Sequence, residues 1–82
     1  MIITIGKAND NDYVADDSQV SRHHARLVSE PDGNWLLEDL ESTNGTFVNE
    51  AQVVRKRISK SDRIRLGERY TLTLSDLLKA GN

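Results

Sequence analysis

The sequence contains no cysteine, a single proline and only four aromatic residues. Without cysteine the chain forms no disulfide bond and no thiolate metal site, and we expect a reducing compartment, the cytoplasm. No apolar stretch approaches the roughly 18–20 residues of a membrane-spanning helix, and residues 1–5 lack the basic start and long apolar centre of a signal peptide. We therefore expect a soluble protein with no membrane partner.

The chain is 82 residues long, 37% apolar, and carries a net charge of −2. This length suffices for one small domain with a modest core, which we place at residues 1–82. Charge is unevenly distributed, since residues 1–50 hold ten acids and three bases whereas residues 55–69 hold seven bases and two acids. The basic stretch would suit nucleic acid, but it contains no aromatic residue for base stacking. We favour a solvent-exposed face of strands and expect no nucleic-acid partner.

Short alternations of apolar and polar residues, separated by turn signals, dominate the chain. They predict strands at residues 3–6, 25–28, 35–40, 47–48, 53–54, 64–66 and 70–74, with a hairpin turn at residues 31–34 and a short turn at residues 49–52. Residues 7–19 are predicted as a long polar loop that contains one short strand. Only residues 75–79 look helical, and Ser75 is the predicted cap of that short turn. This pattern predicts an all-β fold, a small antiparallel β-sandwich.

Residues 41–49 place several hydroxylated and turn-forming residues between two apolar runs. Asn44 and Gly45 form the strongest short turn signal in the chain, because both residues tolerate the positive φ of tight hairpin turns. We therefore expect the backbone to reverse at this pair. Ser42, Thr43 and Thr46 surround it with hydroxyl groups. Such a loop suits an anionic or peptide ligand.

Two further polar clusters precede or follow predicted strands, at residues 6–7 and 21–24. The loops of a sandwich gather at its ends, so these clusters and the 41–49 loop would form one patch. Its members are Lys7, Ser21, Arg22, Thr43 and Asn44. Two cations among neutral donors suit phosphate, which carries about −1.5 to −2 charges and three strong acceptor oxygens.

The motifs of this patch resemble those of the forkhead-associated (FHA) domain. They are IGK at residues 5–7, DND at 10–12, VSRHHA at 20–25, STNGTFVN at 42–49 and DRIRLG at 62–67, and the resemblance covers residues 3–74. It implies a β-sandwich that binds phosphothreonine peptides through loops at one end. It implies no enzymatic activity and no cofactor.

Carried onto this sequence, the resemblance implies that Lys7, Ser21, Arg22 and Thr43 contact the phosphate and that Asn44 binds the backbone of the peptide. It also implies supporting roles, which fall on Gly6, His24, Gly45 and Asn49. In this family, a small pocket for the methyl group distinguishes phosphothreonine from phosphoserine, and one methyl group is worth about 1 kcal/mol to a few.

Three departures from the family pattern bear on function. Lys7 stands where the family usually has arginine, and lysine offers a point charge in place of a planar fork. Either the domain binds phosphothreonine weakly, or Arg22 takes more of the load, or recognition does not depend on phosphate. Glu50 replaces a glycine after Asn49. The family generally has another strand before residues 5–6, so we expect an uncovered sheet edge through which copies would self-associate. A phosphate-independent interaction or self-assembly module is therefore the alternative function.

Two other kinds of site, a hydrolase triad and a metal site, could use some of the same residues. Ser21, His24 and Asp39 have the composition of a hydrolase triad, but Ser21 lacks the Gly-x-Ser-x-Gly turn of such nucleophiles, and we expect no catalysis. The adjacent His23 and His24 suggest a metal, yet neighbours in a strand point to opposite faces and no cysteine or third histidine completes a set. We therefore expect no metal site, and an exposed His23.

Overall fold

A computed structural model describes residues 1–80, which form nine short strands and one helix. The elements are β1 (Ile2–Gly6), β2 (Tyr13–Val14), β3 (Ala25–Ser29), β4 (Trp35–Asp39), β5 (Thr46–Val48), β6 (Ala51–Val53), β7 (Arg55–Ile58), β8 (Ile64–Leu66), β9 (Tyr70–Leu72) and α1 (Leu74–Ala80). The last two residues of the predicted 1–82 domain lie outside the described residues.

The strands form two sheets, with the orders β2-β1-β3-β4-β7 and β6-β5-β8-β9. The predicted all-β sandwich is confirmed, and its strand pairs are antiparallel with one exception. β1 and β2 pair in parallel, with Ile5 opposite Tyr13. The Asp12 carboxylate accepts a hydrogen bond from the Thr4 amide, 3.0 Å away, and so fixes the chain beside the middle of β1. The chain then continues in the direction of β1, which makes this pair parallel.

Alternate residues of the strands fill a single core between the sheets. The residues buried most completely, with at most 1% of their surface exposed, include Ile3, Ile5, Leu27, Leu37, Val48, Ile64, Leu66 and Leu77. Each such side chain stabilises the fold by about 1.5–3 kcal/mol through burial of apolar surface. The period of two in the sequence therefore selects the inner face of each strand.

The tight hairpin turn lies at the start of the short turn predicted at residues 49–52, and not at Asn44 and Gly45. Asn44 and Gly45 connect β4 to β5, which belong to different sheets, and of the two only Gly45 has a positive φ, +89°. Asn49 and Glu50 instead have φ angles of 51° and 71° and join the antiparallel strands β5 and β6. The expected reversal at Asn44 and Gly45 is wrong as a hairpin, because that loop carries the chain from one sheet to the other.

The two long sides of the sandwich are closed in different ways. On one side the chain crosses between sheets at Val54, which separates β6 from β7. The bounds of the strand predicted at residues 53–54 are therefore wrong, because β6 ends at Val53. On the other side the hydroxyl groups of Tyr13 and Tyr70 are hydrogen-bonded at 3.0 Å across the two sheets, and their rings meet edge to face. Burial and the Tyr70 hydrogen bond raise the pKa of Tyr13.

The C-terminal helix starts one residue before the predicted helical turn. The Thr73 amide donates to the Asp76 carboxylate at 2.9 Å, and the Asp76 amide donates back to the Thr73 hydroxyl at 3.3 Å. This reciprocal cap makes Thr73 the capping residue, and the prediction of Ser75 is wrong. Leu74 and Leu77 anchor the helix in the core. Within residues 1–80, no helix is long and apolar enough to span a membrane.

Candidate functional site

Three loops meet at Ser21, at one end of the sandwich. The Lys7 amide donates a hydrogen bond to the Ser21 carbonyl at 2.9 Å, which ties the β1–β2 loop to the β2–β3 loop. The Thr43 amide donates to the Ser21 hydroxyl oxygen at 3.0 Å, which adds the β4–β5 loop. The structure thus brings Lys7, Ser21, Arg22 and Thr43 into one patch, as the sequence predicts.

Gly6 allows the first two loops to pack closely. A Cβ atom at this position would lie 2.1 Å from the Arg22 carbonyl oxygen, so no side chain fits there. The neighbouring Asn11, which is 92% buried, donates from Nδ2 to the carbonyl oxygens of Ala8 and Arg22, both at 2.8 Å. Asn11 is thus a site-building residue to which sequence reasoning gave no role, although it lies in the 10–12 motif.

His24 is completely buried beneath the patch. Its Nδ1 accepts a hydrogen bond from the Ser21 amide at 3.0 Å, so the proton is assigned to Nε2, which donates to the Gly45 carbonyl at 2.9 Å. Burial lowers the pKa of His24 below its ordinary value, although the Gly45 carbonyl and Asp39 partly oppose this shift. A neutral imidazole therefore connects the β2–β3 loop to the β4–β5 loop.

Asp39, at the end of β4, organises the β4–β5 loop. Its carboxylate accepts hydrogen bonds from the hydroxyl groups of Ser42 at 2.5 Å and Thr46 at 2.7 Å, and from the Ser42 amide at 3.2 Å. Burial alone would raise the pKa of Asp39, but these hydrogen bonds outweigh it and hold the pKa below the ordinary value. Sequence reasoning considered Asp39 only for a triad and missed this supporting role.

Asn44 and Gly45 form the far rim of the patch. The Asn44 side chain is exposed and donates from Nδ2 to the Gln19 carbonyl at 3.0 Å, so it bridges two loops. Gly45 has a φ of +89°, and a Cβ atom there would lie 2.9 Å from the Gln52 amide nitrogen. The positive φ therefore favours glycine at this position, and a side chain there would also displace the end of Gln52.

Asn49 lies apart from the patch, beyond the opposite end of β5. Its side chain donates to the Asp62 carboxylate at 2.9 Å and accepts from the Arg63 amide at 3.0 Å. These contacts fasten the turn between β7 and β8. The structure therefore places Asn49 where it holds that turn and does not bring it to the loops around Ser21.

Two hollows adjoin the patch and differ in charge. The larger one, about 640 Å³, is lined by the two predicted cations Lys7 and Arg22 together with Asp10 and Asp16. The smaller one, about 150 Å³, lies between the β2–β3 and β4–β5 loops and is lined by Ser18, Gln19, Val20, Ser21, Thr43 and Asn44. The Lys7 ammonium is 3.8 Å from the Asp16 carboxylate, whereas no carboxylate of residues 1–80 lies within 4 Å of the exposed Arg22 guanidinium.

The arrangement of Ser21, His24 and Asp39 differs from a catalytic triad. Both ring nitrogens of His24 are engaged by backbone groups, and the Asp39 carboxylate is bound by Ser42 and Thr46. His23 is exposed as expected, but it lies in the bend before β3 and not in a strand. Among the described residues, no three His, Asp or Glu side chains cluster as metal ligands.

The basic stretch at residues 55–69 is largely paired with acids. Four of its seven bases lie within 4 Å of a carboxylate, and the pairs are Arg55–Glu38, Arg57–Glu30, Arg65–Glu50 and Arg69–Asp17. The Arg65 guanidinium also lies over the Phe47 ring, 4.0 Å from its centroid. Arg55, Lys56, Arg57 and Arg65 lie on strands, whereas Lys60, Arg63 and Arg69 lie in the turns beside them, so the predicted strand face accounts for only part of the stretch.

Known proteins are similar to this chain in sequence and in fold. The family model described as FHA domain matches residues 3–67. The ABC transporter ATP-binding/permease protein Rv1747 of Mycobacterium tuberculosis is 45% identical over 65 residues, and the match covers 79% of this chain but only 7% of the transporter.

Solved structures agree with the sequence match. A domain from a structural and functional analysis of phosphothreonine-dependent FHA domain interactions superposes with a TM-score of 0.75 at 39% identity, covering 80% of this chain and 68% of that one. Mycobacterium tuberculosis EmbR, solved in complex with a low-affinity phosphopeptide, has a TM-score of 0.72 at 37% identity, covering 78% of this chain and 17% of EmbR.

Proposed function

Because this chain belongs to the FHA domain family, we propose that it binds a phosphothreonine of a partner protein through the patch centred on Ser21. The observation that carries the proposal is the junction at Ser21, which connects the loops bearing Lys7, Arg22 and Thr43 through two hydrogen bonds of 2.9 and 3.0 Å. Two similar proteins, from the phosphothreonine-dependent study and the EmbR complex, support the same ligand class.

The chemistry of the patch suits a phosphate dianion. Lys7 and Arg22 supply positive charge in the larger hollow, and Ser21 and Thr43 supply hydroxyl groups in the smaller one. Hydrogen bonds from charged donors to phosphate are roughly twice as strong as those between neutral groups, so the two cations would contribute most of the affinity. Arg22 takes the larger share, because its fork binds two oxygens and no acid of residues 1–80 lies within 4 Å of it.

Asn44 and the smaller hollow would bind the rest of the phosphorylated residue. The Asn44 Nδ2 already donates to the Gln19 carbonyl, and this contact fixes the side chain with its amide oxygen available to a peptide N–H. The 150 Å³ hollow beside it includes the apolar Val20 in its lining. We assign the threonine methyl group to this hollow, which would give a preference for phosphothreonine over phosphoserine.

The proposal also covers catalytic activity, the extent of the module and its location. The chain is a binding module without catalytic activity, since His24 and Asp39 are committed to holding the loops. The module extends over residues 1–82, and its cysteine-free sequence fits the reducing conditions of the cytoplasm.

The alternative, a phosphate-independent self-assembly module, receives little support from the sheet edges. Of the four edge strands, β2 has two residues, β6 and β9 have three each, and β7 carries Arg55, Lys56 and Arg57. Short and positively charged edges oppose pairing between copies. The edges of β6 and β9, which carry no charged residue, are therefore the remaining places for an added strand, and each offers three residues.

A binding titration tests the proposed function. The protein is titrated with a library of phosphothreonine peptides and with the same peptides unphosphorylated, and we expect affinity for the phosphorylated set only. Lys7→Ala, Ser21→Ala and Arg22→Ala should each weaken this binding, with the largest loss for Arg22→Ala. Lys7→Arg should strengthen it, because a second planar fork would face the phosphate.

Three further results bear on the proposal: two of them would contradict it and one would support it. Equal affinity for both peptide sets, unchanged by the three alanine variants, would contradict phosphate recognition and favour the phosphate-independent module. Tighter binding of phosphothreonine than of phosphoserine peptides would support the methyl assignment, and Val20→Thr should reduce that difference. Concentration-dependent dimerisation without any peptide binding would favour the self-assembly module.

A further inference from the structure

The larger hollow is lined by charged groups of both signs, whereas a phosphate needs only the positive ones. Lys7 and Arg22 share its lining with Asp10 and Asp16, so two cations and two carboxylates line about 640 Å³. The proposed function uses the cations and leaves the carboxylates without a role. A ligand that reached both sets would have to carry charges of both signs.

Asp10 and Asp16 differ from the other acids of the same segment. The Asp12 carboxylate accepts from the Thr4 amide, and the Asp17 carboxylate accepts from the Gln19 amide and pairs with Arg69, so these two hold the loops. The side chains of Asp10 and Asp16 are 73% and 88% exposed. Their contacts are long ones, at 4.0 Å to His23 and 3.8 Å to Lys7.

Binding of a phosphate changes the charge balance in this hollow. Before binding, the Lys7 ammonium offsets the Asp16 carboxylate 3.8 Å away. A phosphate dianion at Lys7 and Arg22 neutralises both cations and leaves two carboxylates facing the ligand without counter-charge. A basic side chain on the ligand would restore the balance, and an acidic one would be repelled.

From this balance we infer that the ligand carries a lysine or arginine near its phosphothreonine and that Asp16, together with Asp10, selects for it. The inference rests on the proposed function, because Lys7 is released from Asp16 only when phosphate takes its charge. Asp16 is then a specificity-determining residue that also weakens binding of peptides lacking a basic residue, since it competes with their phosphate for Lys7.

The size of the effect follows from the exposure of the carboxylates. Exposed ion pairs contribute about 0.2–1 kcal/mol, which corresponds to roughly 1.4- to 5-fold in affinity. We therefore expect a peptide with lysine at the selected position to bind about threefold more tightly than the same peptide with alanine. A glutamate at that position should weaken binding by a similar factor.

The test uses the whole chain and three matched peptide series. One phosphothreonine peptide is made with lysine, alanine or glutamate at each of the three positions on either side of the phosphothreonine, each with an unphosphorylated copy. Affinities are measured for the unchanged protein, for Asp16→Asn and for Asp32→Asn. Asp32→Asn makes the same change in net charge as Asp16→Asn. It serves as the control because Asp32 lies in the β3–β4 turn, at the end of these strands away from the patch.

The expected result is a lysine preference at one position or more, which Asp16→Asn removes and Asp32→Asn retains. Asp16→Asn should also bind the alanine peptides more tightly. Phosphate-dependent binding with equal affinity for the lysine and glutamate series at every position would overturn the inference and leave the proposed function standing. Equal binding of phosphorylated and unphosphorylated copies in every series would contradict the proposed function, and the inference with it.

Discussion

The amide of Ser21 donates its hydrogen bond to Nδ1 of His24 at 3.0 Å, so a completely buried, neutral imidazole supports the residue at which three loops meet. The other ring nitrogen bonds the Gly45 carbonyl at 2.9 Å. A second proton on the ring would remove the acceptor that the Ser21 amide requires. The geometry of the patch is therefore coupled to the protonation state of His24.

We expect the free energy of unfolding to fall as the pH is lowered from 7 to 5. Burial lowers the pKa of His24 in the folded protein, so below about pH 6.5 the unfolded chain takes up a proton that the folded chain resists. The stabilisation is thus complete above the unfolded pKa and is lost as the pH falls through the folded one. Urea titrations between pH 5 and 8 measure this dependence.

The adjacent histidine provides the control for this pH dependence. His23 is exposed, so His23→Gln should retain the slope of stability against pH, whereas His24→Gln should abolish it and lower stability throughout. An unchanged slope in His24→Gln would show that another group is responsible.

Substitution of Gly6 should destroy the patch. In Gly6→Ala the new Cβ would lie 2.1 Å from the Arg22 carbonyl oxygen, so the two loops must separate, at a cost of more than about 2 kcal/mol. We expect phosphopeptide affinity to fall at least about tenfold. Gly33→Ala is the control, because its φ of +89° makes alanine strained by about 1 kcal/mol while no atom lies within 4 Å of its Cβ. Unchanged peptide binding by Gly6→Ala would contradict this role.

Asp39→Asn should destabilise the β4–β5 loop. Both hydroxyl groups donate to Oδ1, whereas the Ser42 amide donates to Oδ2. In asparagine, Nδ2 would replace one of these oxygens and set a donor against a donor, at a cost of about 1–3 kcal/mol. Stability should fall more than in Asp32→Asn, which alters an exposed carboxylate in the turn at residues 31–34. Thermal unfolding of the two variants at pH 7 compares them, and equal losses would show that the Asp39 network contributes nothing specific.

Glu50→Gly should stabilise the protein. Glu50 has a φ of 71°, a conformation that costs a residue with a side chain about 1–2 kcal/mol, and glycine relieves it at some cost in unfolded-state entropy. We expect a net gain of about 0.5–1 kcal/mol in urea unfolding. Glu50→Gln keeps the strained backbone and removes the charge that pairs with Arg65, so it should give no gain. An equal gain in both variants would assign the effect to charge.

Sequence patterns predicted the strands and most of the patch, but not the contacts that shape it. The period of two identifies Ile3, Ile5 and Leu66 as inward-facing residues because it requires only local alternation. The turn signal at Asn44 and Gly45 was misplaced, because a dipeptide does not reveal whether its flanking strands share a sheet. That information depends on pairing between distant segments.

The supporting residues were missed for a related reason. Asn11 and Asp39 act through hydrogen bonds to Arg22 and Thr46, which lie 11 and 7 residues away in the sequence. An isolated asparagine or aspartate at a strand end is also typical of ordinary turns, so its partners become apparent only when the loops are assembled.

The unequal closure of the two sides of the sandwich determines where the molecule opens most easily. On the side where the chain crosses at Val54, the sheets share a covalent connection and separate only if β6 or β7 unravels. On the side of Tyr13 and Tyr70, side-chain contacts close the gap, and breaking them leaves every backbone bond intact. Local opening is therefore concentrated along β2 and β9. The loops that flank β2 carry Lys7 and Arg22, so the cations of the patch lie on the side that opens first.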